Sequence, residues 1–193
     1  MSYTSVLRAT DFVHNFLKHK INKGSIVIDG TMGNGHDTLF LHRLVGASGK
    51  VYAFDIQEKA LEATKQKLLY NNVAMDNNSI HLILDGHENI ESHVKEPIDA
   101  AMFNLGYLPN SNKEIITIPQ TTIRAFDGVF SLLKKGGVVS ILIYYGHRGG
   151  ILEKELVLDY IRNLDYKKYT VLECNYTNHE NNPPIIVFIE KKQ

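Results

Sequence analysis

The sequence predicts a doubly wound α/β domain: a seven-stranded, mostly parallel sheet with an antiparallel last strand and helices on both faces. Three observations predict it. Short apolar runs alternate with helix-like segments along all 193 residues, and such alternation implies right-handed crossovers on a parallel sheet. The run Ser25 to Ile28 ends in Asp29, then a turn carrying Gly30, Gly33 and Gly35, then an apolar helical pattern (Leu39, Phe40, Leu41, Leu44, Val45). That is a strand, a tight loop and a helix N-terminus in succession. The connection from Cys174 to Pro184 is too short for a typical crossover helix, so the last two strands pair antiparallel.

The elements follow in order. Residues 4–19 mix apolar positions with Arg8, Asp11, His14 and Lys18 and read as an N-terminal helix within residues 1–22 of a single domain, 1–193. Strands are expected at 25–29, 51–55, 80–84, 98–103, 137–144, 168–173 and 185–190. Helices are expected at 37–44, 57–71, 120–133 and 151–164. Gly136-Gly137 reads as the end of a helix and the opening of a strand, in the manner of a C′ glycine. In such sheets ligands sit beyond the carboxyl ends of the strands, and the chemistry is sought there.

Composition bounds the class. Hydrophobic residues make up 44% and charged residues 22% of the chain, ordinary values for a globular domain. Cys174 is the only cysteine, which excludes a disulfide framework and a cysteine zinc site. No apolar run is long enough to span a membrane, and residues 1–20 lack the apolar core of a signal peptide; a cytoplasmic location is the default. The formal net charge is zero, which neither requires nor forbids a nucleic-acid partner. Nine histidines, His14, His19, His42, His81, His93 and His179 among them, show no ligand spacing. They read as scattered core or surface residues, and no metal is expected. No nucleophile elbow or cysteine nucleophile pattern occurs.

The glycine loop is of nucleotide-cofactor type. Asp55 ends the next apolar run, 20 residues after Gly35, where a ribose-binding acid belongs. The dinucleotide pattern fails at its third glycine, which is Thr38, and Asp37 would repel a pyrophosphate at the helix N-terminus. No P-loop motif is present. A glycine loop alone is equally a sharp turn with a capping aspartate; Asp55 tips the reading toward a cofactor. The spacing Asp29, Thr31, Gly33, Gly35 resembles motif I of class I S-adenosylmethionine-dependent methyltransferases, with Thr31 in place of the first glycine. That resemblance implies a Rossmann-like fold and a cationic cofactor that acids attract. Asp29, Thr31, Gly33, Asn34, Gly35, Asp37 and Thr38 would hold its methionine part and ribose, Asp55 and Gln57 the ribose, and Asp85, Gly86 and His87 the adenine side. Asp85-Gly86 also reads as a plain turn before a short helix.

After the fourth strand comes Phe103-Asn104-Leu105-Gly106-Tyr107-Leu108-Pro109. It resembles the D/N-P-P-Y/F motif of methyltransferases that modify exocyclic amines, with Leu105 and Gly106 in place of both prolines. An amine nucleophile needs its lone pair aimed at the methyl group. The Asn104 side-chain carbonyl and the Leu105 backbone carbonyl would accept its hydrogens, and Tyr107 would stack on the attached base. Asn104, Tyr107 and His147 are the candidate catalytic residues, Asn104 also facing the cofactor. Tyr144, Tyr145, His147 and Arg148, on a glycine-rich loop after the fifth strand, join Tyr107 as candidate substrate contacts. Arg148 suits a phosphate and His147 a proton acceptor near neutral pH. Asn181-Asn182-Pro183-Pro184 reads as a rigid turn or a wall of the substrate side.

Together, D-G-T-M-G-N-G-H-D-T, F-N-L-G-Y-L-P, Y-Y-G-H-R-G-G and N-N-P-P resemble the rRNA methylase family over nearly the whole chain. Its members include a tRNA methyltransferase acting on 5-aminomethyl-(2-thio)uridine at the wobble position. The resemblance implies transfer of the methyl group of S-adenosylmethionine to that primary amine, and binding of the tRNA anticodon region. Pairing into a homodimer would enlarge the RNA surface, though the sequence shows no interface. The alternatives are a methyltransferase for ribosomal RNA or a small amine, a nucleotide-binding oxidoreductase, and a non-enzymatic module that only binds S-adenosylmethionine.

Overall fold

The computed structural model describes residues 6–74, 78–108 and 115–193. In chain order the elements are α1 (Ala9–Leu17), β1 (Ile26–Asp29), α2 (His36–Val45), β2 (Lys50–Asp55), α3 (Glu58–Tyr70), β3 (Ile80–Leu84), α4 (Ile90–His93), β4 (Ile98–Leu105), α5 (Pro119–Leu132), β5 (Leu133–Ile143), α6 (Gly150–Arg162), β6 (Tyr169–Cys174) and β7 (Ile185–Lys191). A 3₁₀ turn, His87–Asn89, precedes α4. The strands form one sheet in the order β3-β2-β1-β4-β5-β7-β6. Strand β7 runs antiparallel to both β5 and β6, as the short 174–184 connection requires.

Winding reverses between β1 and β4, which pair in parallel through Val27↔Ala100, Ile28↔Ala101 and Asp29↔Met102. From β1 the chain steps outward to β2 and β3; from β4 it steps the other way. The crossovers therefore diverge and leave a crevice beyond the carboxyl ends of these two strands. Strand alternation sends successive residues to opposite faces. Ile28, Ala101, Phe103 and Ile141 pack with Phe126 and Val129 of α5 and Val157 and Ile161 of α6. Val27, Met102, Val138 and Phe188 pack with Val13 and Leu17 of α1 and Leu41 and Val45 of α2. A smaller cluster of Leu39, Leu68 and Ile80 seats α3. No helix among the described residues is long and apolar enough to cross a membrane.

Three boundaries differ from expectation. The expected helix start at residue 4 lies outside the described residues; within them α1 opens at Ala9, because Arg8 is extended at φ −118, ψ 124. Helix α5 ends at Leu132, four positions before Gly136, so Gly136-Gly137 is not its C′ signal. Gly136 instead has φ 76 at the irregular start of β5, where the β4–β5 register shifts between Ile98 and Ala100. Strand β4 runs on through Asn104 and Leu105, paired with Leu142 and Ile143, which places Asn104 on a rigid element and not in a loop.

Gly30, just past β1, is where backbone and ring approach most closely. A Cβ there would lie 2.2 Å from the Phe103 ring, and that ring is fixed edge-on against Phe126. We expect Gly30→Ala to cost about 1–3 kcal/mol by overpacking and to lower Tm by several degrees in a thermal melt. An unchanged Tm would show that the ring yields freely.

Candidate active site at the switch point

A cavity of about 820 Å³ opens over the carboxyl ends of β1, β2 and β4. Its lining includes Thr31, Gly33, Asn34, Asp37, Asp55, Gln57, Asp85, Gly86, His87, Asn104, Tyr107 and Tyr144, all expected as site residues.

The loop after β1 is held from below and from the side. Gly35 turns at φ 72, and a Cβ there would meet Thr64 at 2.7 Å, so a glycine is required. The Asp29 carboxylate is fully buried; it accepts from the Thr38 hydroxyl at 2.7 Å and the Thr31 N–H at 3.2 Å. Burial pushes Asp29 up to about 7, the nearby Asp37 adding to the shift and the two hydrogen bonds opposing it. Asp55 accepts from the Gly33 N–H at 3.0 Å and the Gln57 N–H at 2.9 Å, tying the loop to the end of β2. Burial raises its pKa as well. Beside it Ile56 is 61% exposed and lines the cavity, an apolar surface that a flat base would cover.

His87 donates from Nδ1 to the Gly30 carbonyl at 3.0 Å; burial lowers its pKa and keeps the ring neutral. Asp85 accepts from the Gly86 N–H, from Asn89 Nδ2 at 2.8 Å and from His93 Nε2 at 2.8 Å. The His93 bond is the main cause of its lowered pKa. It thus holds the turn and lines the cavity.

At the other wall, the Asn104 N–H donates to Thr31 Oγ1 at 2.7 Å, and Asn104 Nδ2 donates to Asp37 Oδ2 at 2.6 Å. A carboxylate only accepts, so the amide is oriented with its NH₂ toward Asp37. Its Oδ1 then has no donor among the described residues. The Leu105 carbonyl differs from expectation: it accepts from the Tyr144 N–H at 3.0 Å, because β4 continues its ladder with β5. Gly106 has φ 150, which a proline cannot adopt, so this loop departs from the two-proline motif for a steric reason. Its N–H donates to Thr117 Oγ1, which donates to Glu153. Glu153 is buried beneath, accepts also from Thr122, and has its pKa raised by that burial.

Several expected residues lie elsewhere. Asp29, Gly35 and Thr38 shape the loop from behind and do not line the cavity. Tyr145, in the loop after β5, does not line the cavity as Tyr144 does; it packs against the core and under Lys154. His147 stands edge-on to Tyr107 at 5.4 Å, outside the lining. Both of its ring nitrogens are shielded from the surface, with no hydrogen-bond partner among the described residues. It backs Tyr107 and is not placed to take a proton from the cavity. Arg148 is exposed away from the lining. Asn181 and Asn182 adopt positive φ, and neither lines the cavity. Pro109 lies outside the described residues.

The α1 contribution was not anticipated. Arg8, Thr10, Asp11 and His14 line the cavity, and His14 Nε2 donates to Asp37 Oδ1 at 2.6 Å. No local pattern marks His14; only the tertiary placement of α1 reveals it. Asp11, Asp37, Asp55, Asp85 and Glu88 face one guanidinium, Arg8, among the described lining. Such a lining favours a cationic ligand. Its volume, the apolar Ile56 and these acids fit S-adenosylmethionine.

Comparison with known proteins gives the same picture. Residues 51–190 match the model of a family described as “Putative rRNA methylase”. The chain is 36% identical to the Arabidopsis thaliana chloroplastic tRNA (mnm5s2U34)-methyltransferase, over 96% of this chain and 70% of that protein. A “putative rRNA-methylase” from Clostridium thermocellum superposes with TM-score 0.92 at 42% identity, covering 97% of this chain and 99% of that one. A “putative methyltransferase” from Streptococcus mutans, solved with S-adenosylhomocysteine, gives TM-score 0.87 at 44% identity over the same shares.

The raised pKa of Asp29 carries a pH signature. The folded state holds this proton up to about pH 7, the unfolded chain only to about 4. The contribution to stability is therefore fully present below pH 4 and is lost as pH rises through 7. Denaturant unfolding between pH 4.5 and 8 should show wild type losing stability relative to Asp29→Asn over that window. Parallel curves would place the proton elsewhere.

Proposed function

Because this chain belongs to the rRNA methylase family and is an S-adenosylmethionine-dependent methyltransferase, we propose that it methylates the primary amine of 5-aminomethyl-(2-thio)uridine at the wobble position of tRNA, giving 5-methylaminomethyl-uridine. The observation that carries this reading is the orientation of Asn104. With Nδ2 committed to Asp37, the atom left for substrate is an acceptor, and an amine nucleophile presents N–H donors. The tRNA wobble activity named for the Arabidopsis relative supports the choice of substrate.

S-adenosylmethionine, when bound, supplies a methyl group on a positively charged sulfur that a nucleophile displaces. Gly33, Asn34, Asp55, Gln57 and the turn Asp85 to His87 would hold it. The substrate arrives mostly as an ammonium and loses one proton to water before attack. Asn104 Oδ1 then accepts an N–H and directs the nitrogen lone pair, so that binding sets the angle of attack. Tyr107, 37% exposed, and Tyr144, 38% exposed, offer flat faces to the uridine. The acid-rich lining attracts the ammonium.

The experiment is methyl transfer from labelled S-adenosylmethionine to bulk tRNA lacking the final wobble methylation, followed by nucleoside analysis. The expected product is 5-methylaminomethyl-uridine. Label in ribosomal RNA or in a free amine, with none in tRNA, would move the substrate to those classes. Asn104→Ala should lower kcat about 100-fold while S-adenosylhomocysteine still binds. Full turnover in that variant would remove Asn104 from the reaction.

A further inference from the structure

The N-terminal helix sends one polar side chain into the chemistry. His14 is held by its own element: α1 buries Val13 and Leu17 in the core, and the imidazole lies flat on Phe40, ring centroids 3.7 Å apart and 4° from parallel. From there Nε2 reaches Asp37 Oδ1 at 2.6 Å, with side chains 21% and 9% exposed. The other carboxylate oxygen accepts from Asn104 Nδ2 at 2.6 Å. Each oxygen of Asp37 therefore has one donor, and the two donors come from different elements, α1 and β4.

We propose that His14 is a positioning residue for methyl transfer: through Asp37 it fixes the Asn104 amide with Nδ2 turned inward and Oδ1 left to the substrate amine. The proposal rests on the amine reading of Asn104 given above. The physical reason is competition. Asp37 with a donor on each oxygen is a fixed acceptor for Asn104. Without the His14 donor, Oδ1 of a largely buried carboxylate has no partner, and such a group costs free energy until it finds one. The ammonium of the substrate is the best partner available, since a charge-assisted bond outranks one to an amide. The amine would then be held protonated, with its lone pair occupied, and Asn104 would be free to turn. Loss of His14 thus acts on turnover and leaves substrate capture intact.

Two variants separate the donor from the stack. His14→Phe keeps a ring on Phe40 and removes the donor; His14→Gln keeps a donor near the Nε2 position and removes the ring. With undermodified tRNA, His14→Phe should lower kcat on the order of 10- to 100-fold with KM unchanged or lower, and S-adenosylhomocysteine affinity unchanged within about twofold. His14→Gln should recover most of kcat. In ¹H–¹⁵N spectra the Asn104 side-chain NH₂, identified by its loss in Asn104→Ala, should exchange slowly in wild type and His14→Gln and fast in His14→Phe. This readout needs no RNA. If wild type does not methylate tRNA, the substrate reading fails while the amide signal still decides the role of His14. Should His14→Phe not fold, His14→Asn, whose donor falls short of Asp37, takes its place. Full kcat in His14→Phe, equal losses in both variants, or slow amide exchange in both would overturn the proposal.

Discussion

Parallel pairing of β1 with β4 governs this molecule. The helix after β1, α2, packs on one face of the sheet and the helix after β4, α5, packs on the other, so the two connections part at the strand ends. The contacts between the loops at these strand ends are a consequence. The loop after β1 and the end of β4 lie side by side, which lets the Asn104 N–H reach Thr31 Oγ1. The end of β2 lies on the other side of the same loop, which lets Asp55 accept from Gly33. Buried apolar faces above and below the sheet hold those strand ends still, so the polar groups need little further ordering when a ligand arrives.

Much of this was legible in the sequence because it depends on position along a strand. Asp29, Asp55 and Asn104 are polar residues at the ends of apolar runs; in this doubly wound sheet Asp55 and Asn104 line the crevice and Asp29 lies buried behind its loop. What could not be read depends on direction and on distance in sequence. Tyr144 and Tyr145 are neighbours with the same chemistry in the loop after β5, yet Tyr144 lines the cavity and Tyr145 packs against the core. Gly136 looks like a helix stop because it follows an apolar helix and two lysines; the helix ends four positions earlier for reasons of β4–β5 pairing. His14 pairs with a residue 23 positions away, and nothing in its own segment distinguishes it from His19.

Two of the buried carboxylates beside the cavity, Asp29 and Glu153, serve the loops and do not line the cavity. Asp29, the acid of the glycine loop, is sealed beneath it and serves the backbone and Thr38. Glu153, in no recognised motif, is sealed beneath the loop after β4 and fixes it through Thr117. Burial raises the pKa of each, and each acts as a strut through the hydrogen bonds it accepts. The acids that keep contact with the cavity, Asp37 and Asp55 among them, can answer a cationic ligand.

Helix α1 rests on Phe188 of β7 through Phe12 and Phe16, and the Tyr176 hydroxyl donates to the Val6 carbonyl just ahead of it. The earliest described helix is therefore seated on the latest strand. During synthesis β1 to β5 can form the sheet and the glycine loop before β7 exists, but α1 has no complete bed until then. A growing chain on the ribosome would carry the cofactor loop well before His14 could reach Asp37. The contact between His14 and Asp37 thus depends on a helix whose seat is the C-terminal strand.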